Sequence, residues 1–251
     1  YEIEDISNSL YKPEDFRLAE DASAHAEGTD ANDYAMGLTS GSFENTNPNF
    51  SKVTFVVTDG KLTITPRTVT LTSETASKPY DGTPLTRPNV TGGEGFVAGE
   101  VTDIKATGSV TYVDEGKVTN AITFTPGTNF KESNYTIIKN EGKLSITARA
   151  SDSITITTPT RETVYDGTAL VDHQHTYTGT LMPGDTLEVT YSSGSQQTDV
   201  GSCDNAIDGY RIVRTVDGAE KDVTKNYTFG VTVIGTLTVK PRSVTFTGES
   251  K

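Results

Sequence analysis

The most constraining feature of this sequence is a phrase that occurs three times. In its first copy, residues 60–65 (GKLTIT), apolar side chains occupy every second position, which is typical of a strand with one buried face. A proline-arginine pair follows at Pro66 and Arg67, and the alternation resumes through Val69 and Leu71. The phrase recurs from Gly142 and from Gly235, at intervals of about 85 residues. An internal repeat of this length predicts a tandem array of small β domains.

The repeated phrase sets the predicted boundaries. We expect repeat 1 over residues 1–66, repeat 2 over 67–150 and repeat 3 over 151–241, with 242–251 as the opening strand of a further repeat. Repeat 1 lacks an opening strand. The sequence is therefore predicted to be part of a longer array, cut out of phase by one strand. No signal peptide opens it and no apolar run reaches membrane-spanning length, so targeting signals are expected elsewhere in the longer protein.

Composition narrows the classes of protein. Hydrophobic residues make up 33% of the chain and tryptophan is absent, so each repeat can support only the thin core of a small, mainly β domain. The formal net charge of -13 argues against nucleic acid or an anionic membrane as a partner. The acidic surface is interpreted as solvated; calcium held between loops is the alternative. A single cysteine, Cys203, excludes an intramolecular disulfide.

Three further phrases recur in register in repeats 2 and 3. They are Tyr-Asp-Gly-Thr-x-Leu from Tyr80 and from Tyr165, then Gly-Glu or Gly-Asp, then Asn-Tyr-Thr from Asn134 and from Asn226. Asp-Gly suits a tight turn because glycine tolerates positive φ. Recurrence favours a structural role, a turn and a core tyrosine, over a ligand contact. The Asn-Tyr-Thr phrases also match the N-glycosylation pattern, but a turn role is preferred.

These phrases, in this order, resemble the MBG-type repeats of bacterial extracellular proteins, especially the surface adhesins of Gram-positive gut bacteria. The resemblance covers nearly the whole chain. It implies a β-grasp-like domain in tandem on the cell surface, with mucin or host-glycan binding proposed for the wider class. Because repeats 2 and 3 show no long helix, immunoglobulin-like sandwiches are the alternative fold.

Catalytic and metal sites are weakly indicated. His173 and His175, two apart on a predicted strand, would face one side and could bind a metal, but His25 lies in another repeat and no third ligand is positioned. Cys203 has no histidine phrase to activate it and no Gly-x-Ser-x-Gly elbow occurs, so we predict no enzyme, no catalytic residues and no cofactor. A lysine-asparagine isopeptide bond, for example Lys78 with Asn134, is a separate hypothesis.

The leading functional hypothesis is a stalk: three tandem domains in an elongated extracellular array, attached to the cell wall or surface, that projects an adhesive tip. Short links at Pro66, at Ala148 and at Pro241 would couple neighbouring repeats rigidly. The alternative is binding of a host glycan, mucin or protein by loops at residues 178–185 or 208–224. In addition, the strand near residues 244–247 could complete repeat 1 of a neighbouring molecule.

Overall fold

The computed structural model describes residues 2–251, and Tyr1 lies outside them. The prediction of a mainly β fold is confirmed, since these residues form 23 strands and no α-helix. No helix among them has the length and apolar character needed to cross a membrane. Five short 3-10 helices interrupt the strands, at Pro13–Asp15, Ser40–Ser42, Val113–Glu115, Glu132–Asn134 and Thr224–Asn226.

The strands are short and are numbered in chain order. Repeat 1 contains β1 (Phe16–Leu18), β2 (Asn32–Ala35), β3 (Phe43–Asn45) and β4 (Lys61–Ile64). Repeat 2 contains β5 (Arg67–Ser73), β6 (Ala76–Pro79), β7 (Leu85–Thr86), β8 (Val90–Gly92), β9 (Val101–Ala106), β10 (Ser109–Val110), β11 (Val118–Thr119), β12 (Ile122–Pro126), β13 (Tyr135–Asn140) and β14 (Lys143–Thr147). Repeat 3 contains β15 (Arg149–Thr157), β16 (Arg161–Val164), β17 (Thr176–Thr178), β18 (Asp185–Tyr191), β19 (Gly201–Asp204), β20 (Ile207–Val216), β21 (Ala219–Asp222), β22 (Tyr227–Phe229) and β23 (Thr236–Lys240).

The chain forms two compact units whose limits do not coincide with the repeats. The first unit holds the residues up to Thr72, with Thr91–Ile104 and Phe124–Asn140. The second holds Ser73–Val90, Lys105–Thr123 and Glu141–Lys251. Each unit therefore contains a complete junction between two consecutive repeats: repeats 1 and 2 in the first unit, repeats 2 and 3 in the second.

In the first unit, antiparallel pairs β1–β3 and β2–β4 come from repeat 1, while β13 pairs with β5 in parallel. Strand β8 continues that sheet, and β9 pairs with β12. Aromatic rings pack in two clusters beside these strands. Phe16, Phe43 and Phe55 form one cluster in repeat 1. Phe96, Phe124, Phe130 and Tyr135 form another in repeat 2.

In the second unit, the sheets are β6–β14–β11, β7–β10, β17–β15–β22, β16–β23–β19 and β18–β20–β21. The pairs β6–β14, β15–β22 and β16–β23 are parallel. One hydrophobic cluster joins repeats 2 and 3, since Tyr80 and Leu144 pack in the same group as Ile156, Ile212 and Tyr227. Alternation in the sequence explains this core, because Leu144 and Ile146, or Leu237 and Val239, point to one face of a strand.

A buried asparagine organises each repeat in the second unit. Asn120 and Asn205 are fully buried, and each donates its side-chain amide to two backbone carbonyls, those of Glu74 and Arg87 or those of Pro159 and Asp172. Their backbone N–H groups bond to the carbonyls of Gly142 and Gly235, the first residues of the repeated phrase. Satisfying these carbonyls matters because an unpaired buried polar group is costly. In repeat 1 the same backbone bond runs from Met36 to Gly60.

Two sequence-based expectations are wrong. Residues 208–224 are not a surface loop: most of them lie in the β20–β21 hairpin, whose strands pair from Val213 with Asp222 to Val216 with Ala219. His173 and His175 precede β17 rather than lying on a strand, because the carbonyl of Asp172 bonds to Asn205 and its carboxylate accepts the Gln174 N–H. Residues 242–251 pair with no strand within residues 2–251, and their role as the opening strand of a further repeat stays a prediction.

Candidate functional site: the joints between repeats

We use "joint" for the contact region between two consecutive repeats. The linking segments are very short. Strand β4 ends at Ile64 and β5 begins at Arg67, while β14 ends at Thr147 and β15 begins at Arg149. So few intervening residues bring the end of one repeat against the start of the next, and the two joints can be compared contact by contact.

The asparagine of the Asn-Tyr-Thr phrase makes the same contact in both joints. In the first, the backbone N–H of Ala31 donates to Oδ1 of Asn134 at 2.7 Å. In the second, the backbone N–H of Val113 donates to Oδ1 of Asn226, also at 2.7 Å. In each case the asparagine belongs to the following repeat and the amide to the preceding one. The asparagine therefore links two repeats by a hydrogen bond, and is not only a turn residue.

The tyrosine of the phrase anchors the same region from within its own repeat. The hydroxyl of Tyr135 accepts from the Val97 N–H at 3.0 Å and donates to Oε2 of Glu100 at 2.5 Å. The hydroxyl of Tyr227 accepts from the Met182 N–H at 2.8 Å and donates to Oδ2 of Asp185 at 2.5 Å. Two recurrent phrases, Gly-Glu or Gly-Asp and Asn-Tyr-Thr, thus meet at each joint.

An ion pair also crosses each joint. Asp30 lies 2.5 Å from Nζ of Lys131, and Asp114 lies 3.0 Å from Nζ of Lys221. The hydrogen bond from Lys131 holds the pKa of Asp30 below its usual range, and the bond to Asp114 raises the pKa of Lys221. Solvent screens these exposed ion pairs, so they add little to the free energy of unfolding. Their main effect is to favour one orientation of the two neighbouring repeats. Lys221 lies in the hairpin that the sequence had suggested as a binding loop.

The second joint has a buried polar core. The Asp185 carboxylate has no exposed surface; it accepts from Nε of Arg214 at 2.5 Å and from the hydroxyls of Tyr80 and Tyr227. Burial, then the neighbouring Asp185, raises the pKa of Tyr80. The ring of Tyr80 lies edge-on to that of Tyr227, with centroids 5.7 Å apart, and Nη1 of Arg149 bonds to the Tyr80 carbonyl. Removing one member would leave a buried charge or hydroxyl without a partner.

The first joint is more open at the corresponding place. Repeat 1 has no Tyr-Asp-Gly turn, and a cavity of about 610 Å³ lies in the first unit, lined partly by Asp30, Ile64, Arg67, Val97 and Lys131. Its lining mixes charged and apolar side chains without a convergent set of acid, base and nucleophile. The cavity lies at the first joint, because its lining residues come from both repeat 1 and repeat 2.

The histidines and the cysteine named from the sequence lie apart from the joints' shared contacts. His173 stacks on Tyr191 with ring centroids 4.4 Å apart, and His25 pairs with Glu27. Cys203 is half-buried. Within residues 2–251, no group of three or more His, Cys, Asp or Glu side chains is arranged to hold a metal ion.

The two groups named for an isopeptide bond are both engaged in hydrogen bonds. Nζ of Lys78 lies 2.8 Å from Oδ1 of Asp81 and 2.7 Å from Oγ1 of Thr83. The Asn134 amide donates to Asp30 and accepts from Ala31. These contacts give each group a structural role.

Sequence reasoning missed the partners across the joints. Asp185, Arg214 and Asp30 were not recognised as contact residues, although the recurrence of Gly-Asp and Asn-Tyr-Thr in register could have indicated that the two phrases meet. Repeat 1 also has its own version of the Gly-Asp phrase, at Pro13–Asp15 immediately before β1. The comparison of the repeats by sequence did not detect it. Comparison of the chain with protein-family models, with curated proteins and with solved structures gives no match.

Proposed function

We propose that this chain is a structural stalk: three tandem β-grasp-like repeats of an extracellular bacterial adhesin that space a binding tip from the cell wall. One observation carries the proposal. Both joints use the same contacts, an asparagine of the following repeat on a backbone amide of the preceding one and an aspartate paired with a lysine. A chain that repeats the contact between neighbours, and not only the domain, is suited to fixing how neighbours are held.

The pattern of strand pairing supports the β-grasp-like part of the proposal. In repeats 2 and 3 the opening strand runs parallel to the strand near the end of the repeat, β5 with β13 and β15 with β22. A parallel pair between first and late strands is a feature of β-grasp folds, whereas immunoglobulin-like sandwiches are built of antiparallel sheets. The repeats depart from a standard β-grasp because no α-helix covers a sheet in the part of the chain that the structure describes.

Glycan or mucin binding by the repeats has no specific observation in its favour. The two segments suggested for it are used in the second joint: Met182 and Asp185 contact Tyr227, and Lys221 contacts Asp114. We therefore place adhesion at the tip and assign these repeats no catalytic role and no cofactor.

Distance measurements between spin labels can test whether a joint is fixed. With Cys203 replaced by serine, labels at Lys117→Cys and Asp208→Cys report on repeats 2 and 3, which share the second compact unit. We expect one narrow distance distribution. Asn226→Ala, which leaves the Val113 N–H without its acceptor, should broaden it. Asn134→Ala is the matched control, because it removes the equivalent contact in the first joint only. A distribution that is already broad in the parent protein would contradict the proposal.

Surface display is tested separately. Brief protease treatment of intact source cells should release peptides from this chain while cytoplasmic proteins stay protected. Protection of the chain until the cells are lysed would contradict an extracellular stalk.

A further inference from the structure

The opening segment of repeat 3, which contains β15 and β16, forms one long parallel pair with the closing segment, which contains β22 and β23. Within the second unit, β15 runs parallel to β22 and β16 runs parallel to β23, where the last partners are Val164 and Lys240. A parallel bridge between Thr157 and Val233 lies between these two ladders, in the register of β16 and β23. The two segments therefore run side by side and point the same way.

Side chains join the two segments in the gap between the ladders. The Gly235 N–H donates to Oγ1 of Thr158 at 2.8 Å. Asn205 bonds to both segments, because its backbone N–H donates to the Gly235 carbonyl at 2.8 Å and its side-chain amide to the Pro159 carbonyl at 3.1 Å. Thr158 and Asn205 are both buried. We call these two residues the polar bridge of repeat 3.

Repeat 2 has the same polar bridge, also within the second unit. Ser73 takes the place of the threonine, and its hydroxyl accepts from the Gly142 N–H at 3.0 Å. Asn120 takes the place of the asparagine: its backbone N–H donates to the Gly142 carbonyl at 2.9 Å and its side-chain amide to the Glu74 carbonyl at 3.1 Å. Both residues are buried. The two repeats therefore join their opening and closing segments with equivalent buried side chains.

The parallel direction of the two segments decides how tension acts on repeat 3. The chain enters the repeat at the start of β15 and leaves it at the end of β23. In a parallel pair these two points lie at opposite ends, so a pull along the chain slides one segment past the other. Sliding strains the ladder bonds and the polar bridge at the same time. A pull on two points at the same end would instead break the bonds one after another.

Apolar packing opposes the same sliding motion. Ile154 and Ile156 in the opening segment, and Leu237 and Val239 in the closing segment, are each no more than 2% exposed. Protein cores are close-packed, so a shift of one segment along the other would displace these side chains from their packing sites together. Hydrogen bonds and packing therefore resist one and the same movement.

We propose that repeat 3 is a mechanical clamp, in which the parallel pair and its polar bridge resist tension applied along the chain. The biological role of the clamp rests on the proposed stalk function, because a stalk is pulled along its length whenever its tip is held. The property concerned is the barrier to forced unfolding, which is kinetic and distinct from the free energy of unfolding. The equivalent polar bridge extends the proposal to repeat 2.

Single-molecule force measurements on the full chain test the clamp by changing only the direction of the pull. In a Cys203→Ser background, handles at Ser151→Cys and Lys240→Cys pull opposite ends of the parallel pair. Handles at Val164→Cys and Lys240→Cys pull two residues that are opposite each other at one end. At equal loading rate we expect the first geometry to require at least about twice the force, because the whole pair must break at once. Equal forces in the two geometries would overturn the proposal.

Removing one hydroxyl of the polar bridge separates the clamp from ordinary stability. Thr158→Val keeps the side-chain shape and leaves the Gly235 N–H without its acceptor. We expect the unfolding rate to rise about fivefold when opposite ends are pulled, which corresponds to one lost hydrogen bond. When one end is pulled, the bonds beside Val164 break before the polar bridge is strained, so the rate should change by less than about twofold.

Thr163→Val on β16 is the matched control, because it makes the same change of side chain outside the polar bridge. It should alter the unfolding rate by less than about twofold in both geometries. Equal acceleration by Thr158→Val in the two geometries would show a general loss of stability and contradict the clamp.

The clamp and the stalk fail in different experiments. Force measurements report on the clamp wherever the chain is located, whereas the spin-label distances and the protease treatment report on the stalk. A chain that resists sliding but stays protected inside intact cells would refute the stalk and support the clamp. A chain that is released from the cell surface but yields equally in both pulling geometries would refute the clamp alone.

Discussion

Two copies of one turn behave differently in this protein. Residues 80–82 and 165–167 share the Tyr-Asp-Gly sequence and the same local geometry. Asp81 accepts from the Thr83 N–H at 2.9 Å and Asp166 from the Thr168 N–H at 2.8 Å, and both glycines have positive φ, 79° and 82°. Yet Tyr80 has no exposed surface and Tyr165 is 39% exposed.

The difference shows which residues of the Tyr-Asp-Gly phrase depend only on their neighbours in the chain. Aspartate and glycine form the turn alone, because their hydrogen bond and backbone angle need only neighbouring residues. The tyrosine needs repeat 3: Tyr227, Asp185 and Arg214 surround Tyr80, and all of them come from the next repeat along the chain. Tyr80 is thus a core residue of the joint as well as of its own repeat, where it also packs against Tyr112 and Leu144.

Alanine substitution at the two tyrosines should give the largest contrast. Tyr80→Ala removes a fully buried ring and its bond to Asp185, and we expect the free energy of unfolding to fall by about 3–5 kcal/mol. Tyr165→Ala should lower it by less than about 1 kcal/mol, because much of that ring is already in water. Chemical denaturation of both variants measures the difference. Equal losses would contradict a stabilising role for the burial of Tyr80.

Removing only the hydroxyl should sharpen the contrast at high pH. Burial raises the pKa of Tyr80, so the folded state keeps this phenol neutral at pH values where the unfolded chain ionises it. Its contribution is complete below about pH 10 and is lost as pH rises toward the folded-state pKa. Tyr80→Phe should cost about 1 kcal/mol at pH 8 and make stability fall less steeply between pH 10 and 11.

Tyr165→Phe serves as the control for that alkaline experiment, with little effect at either pH. Denaturant midpoints at several pH values, with phenolate absorbance followed in parallel, provide the measurement. A parent-like slope in Tyr80→Phe would refute the assignment.

The smallest effect is expected at the turn carboxylates. Hydrogen bonding from Lys78 is the main cause that lowers the pKa of Asp81 to about 2, whereas the hydroxyl of Thr168 is the main cause at Asp166. Lys78→Met should therefore raise the pKa of Asp81 toward 3.8 and leave that of Asp166 unchanged. Because the folded pKa is depressed, the associated stability is present above about pH 4 and disappears as pH falls toward 2. Carboxyl chemical shifts followed by NMR would test this.

Local features of the fold could be read from the sequence, and distant contacts could not. Alternation in residues 60–65 and the Asp81-Gly82 pair depend on neighbours in the chain, so the strand β4 and the turn were predicted. Arg214 lies in the hairpin mistaken for a loop, and its pairing with Asp185 depends on how β18 and β20 align. Asn226 accepts its hydrogen bond from the backbone amide of Val113, which lies 113 residues away in the sequence. No local pattern carries that information.

The limits of the compact units have a practical and an evolutionary consequence. Both run through repeat 2, so cutting the chain at Pro66 and Ala148 would separate Tyr80 from Asp185 and Asn134 from Ala31. A single repeat excised at those points should expose the Tyr80 ring and lose the hydrogen bonds to its neighbours at both ends. Recombination that shuffles such repeats is then constrained by compatibility between neighbours: an incoming copy must bring an asparagine for the amide before it and, for a joint like the second one, a tyrosine for the acid after it.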